Sequence, residues 1–248
     1  VLVDTHCHIH EASYPLDIND VMVHAEQSKI EKMICVGTSE ESSFEAITFA
    51  DKYAHVYASI GVHPHDTKDG YDQLATMLNA KIIAIGEIGL DYFYTHSPRE
   101  VQITALKAQI KLALSRDLPI IFHVREAFDD FWPIFDSYEG KIRGVLHSFT
   151  DSPQNMHAAI ERGLYIGVNG ISTFTKDAAQ QEMFATIPMN RLLLETDAPF
   201  LTPTPLRGKV NEPAFVRQVA EHHARIRGLS LDEVATQTSA NAHALFAL

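Results

Sequence analysis

The chain has 248 residues, 46% hydrophobic and 21% charged, which is enough apolar material for one large core and excludes a disordered chain. Two cysteines exclude a disulfide-stapled secreted scaffold, and no apolar stretch reaches the roughly 18 residues a membrane-spanning helix needs. Lys and Arg total 20 against 32 Asp and Glu, a formal net charge of −12, so a general basic surface for polyanions is excluded and a nucleic-acid substrate would need a local positive site. The first apolar run stops at Asp4, and without a signal-like apolar segment the expected compartment is the cytoplasm, unless processing has removed a leader.

Short runs rich in Val, Ile, Leu or Phe predict strands over residues 2–5, 32–37, 56–62, 82–88, 119–124, 144–148, 164–169 and 191–195. Amphipathic stretches between them predict helices over 17–29, 42–52, 71–79, 99–116, 127–138, 153–162 and 176–185. After the eighth strand come helical patterns over 212–227 and 231–238 and a short closing segment over 240–246. Ser97-Pro98-Arg99-Glu100 reads as an N-cap, Pro at the first helical position and Glu at the third; Ser152-Pro153 and Ser230-Leu231-Asp232-Glu233 are similar. Eight strands alternating with helices predict parallel βαβ units in an α/β fold, closed as a TIM-type (β/α)8 barrel of a single domain spanning 1–248. An open doubly wound sheet is the alternative, but no GxGxxG follows the first strand.

Chemistry in such a barrel gathers where the strands end. Strand 1 ends in His6 and His8, strand 3 in His63, strand 4 in Glu87 and Asp91, strand 5 in His123 and Arg125, strand 6 in His147 and strand 8 in Glu195 and Asp197. Unpaired polar groups buried in an apolar barrel cost about 1–3 kcal/mol each, so their recurrence at one end needs a partner. Residues two apart on a strand share a face, so His6 and His8 would grip one metal together, with Cys7 pointing away; a hydrogen-bonded histidine pair is the bland alternative. Glu87, among small and apolar residues, has two oxygens with which to bridge two metals, or else pairs with Arg125. His123 and His147 on neighbouring strands would hold a second metal, and Asp197 reaches the first metal and its water. His and carboxylate ligands suit Zn²⁺, with Mn²⁺, Fe²⁺ or Mg²⁺ as alternatives, and two such ions serve hydrolysis of a phosphodiester, ester or amide. Neither GxSxG nor a Walker loop competes.

These residues lie in Val3-Asp4-Thr5-His6-Cys7-His8, Gly61-Val62-His63-Pro64, Gly86-Glu87-Ile88-Gly89-Leu90-Asp91-Tyr92, His123-Val124-Arg125, Gly144-Val145-Leu146-His147-Ser148-Phe149 and Leu194-Glu195-Thr196-Asp197-Ala198-Pro199, followed by Arg207-Gly208-Lys209-Val210-Asn211-Glu212-Pro213. In these motifs the sequence resembles the TatD family of metal-dependent deoxyribonucleases, within the amidohydrolase-like metallohydrolases, across almost its whole length. The resemblance implies a binuclear site: His6, His8, Glu87 and Asp197 at one metal, Glu87, His123 and His147 at the other, with Glu87 and Asp197 catalytic. It also implies that His63 contacts a substrate phosphate and that the activity is 3′–5′ exonucleolytic on single-stranded nucleic acid. Ile88 stands where the family's usual segment has Thr, and strand alternation should turn it away from Glu87.

Asp91 and Glu195 are expected to orient histidine ligands. Arg125, Arg207 and Lys209 are expected to bind substrate, the last two as a small basic patch guiding a phosphate. Phe93, Tyr92, Tyr94 and Phe174, in expected rim loops, either stack on bases or pack in the core. The other histidines, His65 among them, read as surface or packing residues, and Cys35 as a small buried hydrophobe. The expected partner is therefore single-stranded DNA or a small phosphoester, with no membrane and no obligate protein partner. A small-molecule amidohydrolase or esterase on the same metals is the second reading, and a non-catalytic metal-binding protein the third.

Overall fold

Apolar side chains on both faces of a strand can be buried only if each face is covered, and the chain meets that demand with a sheet rolled on itself. A computed structural model of the chain describes residues 1–94 and 96–248. Eight parallel strands pair in sequence order: β1 (Leu2–Cys7), β2 (Ile30–Val36), β3 (Val56–Ile60), β4 (Ile82–Asp91), β5 (Ile120–Arg125), β6 (Gly144–Leu146), β7 (Tyr165–Val168) and β8 (Leu192–Leu194). The helices are α1 (Ile18–Gln27), α2 (Glu40–Ala50), α3 (Arg99–Ser115), α4 (Phe128–Asp136), α5 (Pro153–Glu161), α6 (Ile171–Phe174), α7 (Ala178–Thr186), α8 (Val216–Arg227) and α9 (Leu231–Phe246). None of them is long and apolar enough to cross a membrane.

Apolar burial falls into two layers. Ile85, Ile88, Leu90 and Phe122 belong to the outer cluster, which includes buried residues of the helices. Val3, Ile34, Ile83, Ile121, Val145 and Leu193 fill the barrel interior. Leu245 and Phe246 of α9 join that interior cluster and cover the end where the strands begin. Asn241 anchors them there by donating to the carbonyls of Met189 and Leu192, both at 2.8 Å.

The seam between β8 and β1 closes differently from the other strand pairs. It carries a single Cys7–Ala198 bridge beyond the end of β8. His8 N donates to Ala198 O at 2.7 Å, and Asp197 N to His6 O at 2.8 Å. Side chains complete the seam: Thr5 Oγ1 donates to Leu194 O at 3.0 Å, and Thr196 donates through N and Oγ1 to the two oxygens of Asp4, at 2.8 and 2.6 Å.

Several local expectations change. Residues 71–79 form no α-helix but a 3₁₀ turn, Asp72–Thr76, which has no side-chain cap. The last two predicted segments are one helix, α9, since Ser239-Ala240 contains no breaker and the Ser230–Glu233 capping box supports the whole run. Ser97 does not cap α3; its hydroxyl donates to His65 O at 2.6 Å instead. Ser152 does cap α5, accepting from Asn155 N. β4 runs three residues beyond its predicted end, to Asp91.

Candidate metal centre

Simple alternation from the apolar interior would not point the histidines of β1 inward. Val3 faces the barrel interior, so Thr5 and Cys7 would share its side. The β1–β2 register shifts between Asp4 and Cys7, and this irregularity turns His6 and His8 toward the cavity and Cys7 into the outer layer. β4 does the same. Its register against β5 shifts between Ile85 and Ile88, both in the outer layer, so that Glu87 points into the barrel mouth. Gly86 allows the close approach this needs: a Cβ there would lie 2.6 Å from Ile121 Cβ.

Four donor atoms converge beside the seam. His6 Nε2 lies 3.2 Å from His8 Nε2, 3.3 Å from Glu87 Oε2 and 3.6 Å from Asp197 Oδ1. His8 Nε2 is 3.3 Å from Asp197 Oδ1. Donor atoms 3.2–3.6 Å apart are close enough for histidine nitrogens and carboxylate oxygens to share one divalent ion. His8 Nδ1 is taken up by Val36 O at 2.8 Å, which leaves the Nε2 lone pair facing the group. Asp197 holds its place with a left-handed backbone (φ 57°), which Asp tolerates better than most residues.

The other oxygen of Glu87 faces a second set. Oε1 lies 3.0 Å from His123 Nδ1, 3.1 Å from His147 Nε2 and 3.5 Å from His63 Nε2. Each of the two nearer rings has its remaining nitrogen on a carboxylate. His123 Nε2 meets Asp91 Oδ2 at 2.9 Å, and His147 Nδ1 meets Glu195 Oε1 at 3.2 Å. Glu195 is itself fixed by Ser148 N, which donates at 2.6 Å. Two imidazoles, each pinned from behind and facing a shared carboxylate oxygen, form a donor set suited to a divalent ion.

Charge is balanced inside the cluster. Burial would raise the Glu87 carboxyl, but the charges of His147 and His63 and hydrogen bonds from His123 and His147 hold it well below its usual range. Burial would lower His147, yet the negative charges of Glu87 and Glu195 push it well above the ordinary imidazole value. His123 and His8 are raised the same way, against burial, by Asp91 and Glu87 and by Asp197 respectively. Burial and the neighbouring histidines His147 and His123 push His6 and His63 down. Asp4, deep in the seam, is raised to about 8 by burial, with the Thr196 hydrogen bonds opposing.

His8, His63, Glu87, His123, His147 and Asp197 line a cavity of about 800 Å³ at the ends of the strands. The chain matches the TatD related DNase family over residues 3–247. It belongs to that family. An uncharacterized metal-dependent hydrolase of Bacillus subtilis (strain 168), YabD, is 36% identical over 252 residues, covering 99% of each chain. The 3′-5′ ssDNA/RNA exonuclease TatD of Salmonella typhimurium is 34% identical over 256 residues, covering 99% of this chain and 98% of its own. The crystal structure of YJJV, a TatD homolog from Escherichia coli K12, superposes with a TM-score of 0.91 at 30% identity, covering 100% and 98% of the two chains.

In this TatD-family chain, His6, His8, Glu87, His123, His147 and Asp197 come together as described, with Asp91 and Glu195 behind two of the rings. His63 sits in the same cluster, and Arg125 lines the cavity. Arg207 and Lys209 are not brought to it. Arg207 donates to Thr202 O at 2.7 Å and lies over Phe174, 4.0 Å from the ring centre, while Lys209 lines a separate cavity with His24 and Glu212. Arg125 pairs with neither Glu87 nor Asp91 among the described residues; it lies over the Phe93 ring. Tyr92 is taken up by Asp130, and Tyr94 lines the cavity. His65 is the residue that the sequence reading missed: its Nε2 meets Asp91 Oδ2 at 3.0 Å and it lines the cavity. The signal was its place two residues after His63, across the turn at Pro64. His10 and His223 are not surface residues; each is buried against a serine hydroxyl, that of Ser42 and Ser172, at 3.1 Å.

Proposed function

We propose that this chain is a metal-dependent phosphodiesterase that removes nucleotides from the 3′ end of single-stranded DNA or RNA. The observation that carries the reading is Glu87, whose two oxygens face two separate sets of donors. Family membership and the named exonuclease activity of the Salmonella relative support it. His6, His8, Glu87 and Asp197 would hold one divalent ion and Glu87, His123 and His147 a second; Zn²⁺ suits this histidine-rich set, and Mg²⁺ or Mn²⁺ are the working alternatives. When bound, such ions supply Lewis acidity and the positive charge that a polyanionic substrate needs at this acidic protein.

The remaining work falls to side chains. Asp197 lines the cavity with Oδ1 toward His6 and His8, and its second oxygen orients the attacking water and takes its proton. His63 sits at the cavity wall within reach of a phosphate oxygen. Asp91 and Glu195 keep His123 and His147 from rotating. A small ester or amide is the second reading, favoured by the net charge of −12, which repels long polyanions.

The deciding experiment is digestion of a 5′-labelled single-stranded oligonucleotide by protein of known metal content, with Mg²⁺, Mn²⁺ or Zn²⁺ added separately. A ladder of 3′-shortened products is expected, absent with Glu87→Ala. An intact oligonucleotide, with cleavage of small esters or amides by the same preparation, would replace the nuclease reading with the second one.

A further inference from the structure

The negative net charge raises the question of what holds a phosphodiester chain at this mouth. Of the residues lining the cavity, Arg125 is the one lysine or arginine. Among the described residues its guanidinium has no carboxylate partner, although the chain has 32 Asp and Glu. It lies over an aromatic support instead, its Cζ 3.9 Å from the centre of the Phe93 ring and 5.2 Å from that of Tyr94. Both aromatics are unusually exposed for their size, at 49% and 42%.

The support is built rather than incidental. The backbone N–H groups of Phe93 and Tyr94 both donate to Asp91 Oδ1 at 3.0 Å, while the other oxygen of Asp91 holds His123 and His65. One carboxylate therefore fixes the aromatic turn relative to the metal-facing imidazole. Arg125 follows His123 by two residues on β5, so it stands about 7 Å farther out along the strand on the same face. A guanidinium held over a ring still has N–H donors for a phosphate, and the exposed parts of the two rings, Tyr94 with His96 stacked on it at 5.6 Å, offer π surface to a base.

We infer that Arg125, Phe93 and Tyr94 form a nucleotide subsite next to the reaction centre, which takes the phosphate and unpaired base of the nucleotide adjoining the scissile phosphodiester. This rests on the nuclease reading and adds to it: the subsite selects strands over isolated phosphoesters, because a substrate without a second nucleotide cannot reach it. Arg125 supplies the anion grip and the two rings the base platform.

The test compares kcat/KM on a 5′-labelled single-stranded decamer with that on bis(p-nitrophenyl) phosphate, using metal-loaded wild type, Arg125→Ala, Arg125→Lys and Phe93→Leu of equal metal content. Arg125→Ala should lower the decamer value about ten-fold more than the small-ester value, mainly through KM. Its plot of log kcat/KM against log salt, at fixed metal, should be shallower by about 0.7, the share of one phosphate contact on a single strand. Arg125→Lys should keep the salt slope, and Phe93→Leu should lower decamer kcat/KM about three-fold or more with the slope kept, since stacking is not ionic. Equal losses on both substrates, or an unchanged salt slope for Arg125→Ala, would overturn the subsite while leaving the nuclease standing. Wild type that cleaves the small ester but no oligonucleotide would overturn both.

Discussion

Glu195→Gln separates the two halves of the proposed centre. Glu195 is 1% exposed and faces His147 Nδ1 at 3.2 Å, with a ring nitrogen of His6 within 4.8 Å as its approach to the other donor set. Gly167 makes room for it: a Cβ at that position would lie 2.5 Å from Glu195 Oε2. Glutamine keeps the shape and removes the charge that fixes the His147 tautomer and raises its basicity. Loss of such a partner weakens metal binding about 10–100-fold, or about 1.4–2.7 kcal/mol. Hydrogen bonds to charged groups contribute about 1.5–3 kcal/mol, so the two routes agree. In a competition titration against a chromophoric chelator, the wild type should take up metal in two steps. Glu195→Gln should weaken one step by one to two orders of magnitude and leave the other within a factor of three or so. Equal weakening of both steps, or of neither, would refute the division of ligands across Glu87.

Three further outcomes follow from the same geometry. His8, His123 and His147 have folded-state values above the free imidazole value, so the metal-free fold binds more protons than the unfolded chain above about pH 6.5. Their stabilisation is complete below that pH and is lost as pH rises through the raised values; Asp4, raised from 3.8 to about 8, slopes the same way between those limits. The Tm of chelator-treated protein should therefore fall between pH 6.5 and 8, and metal uptake at pH 7 should release protons measurable in weak buffer. Phe246→Ala, at the closed end of the barrel and 2% exposed, should cost about 3–5 kcal/mol in urea unfolding while metal affinity is kept. Thr196→Val removes the hydroxyl that donates to Asp4 at 2.6 Å and should cost about 2 kcal/mol by the same assay, with a loss of activity because Asp197 adjoins it.

The strand order and the polar strand ends were legible because buried parallel strands leave few reasons for an ionisable residue, and His6, Glu87, His123, His147 and Asp197 stand out from their apolar runs. The bulges were not. Alternation counted from Val3 or from Ile85 turns His6 and Glu87 the wrong way, and only the register against the neighbouring strand reveals the extra residue. Ser97 misled because its hydroxyl had a tertiary acceptor, His65 O, that no local pattern encodes. Arg207 and Lys209 looked like a phosphate guide from composition alone, whereas Arg207 is held by Thr202 O and both stand apart from the cavity. His65 was passed over because only the fold places it against Asp91.

The sparse seam between the first and last strands has a consequence for when the enzyme becomes active. His6 and His8 stand on one side of it and Asp197 on the other, about three quarters of the chain later. A nascent chain that lacks its eighth strand cannot assemble that donor group, however well its earlier βα units have folded. Closing so long a loop is entropically unfavourable and slow, and an ion gripped from both sides would act as the latch. Hydrolytic competence would thus arrive with the last strand, and a chain interrupted before it would be inert rather than partly active.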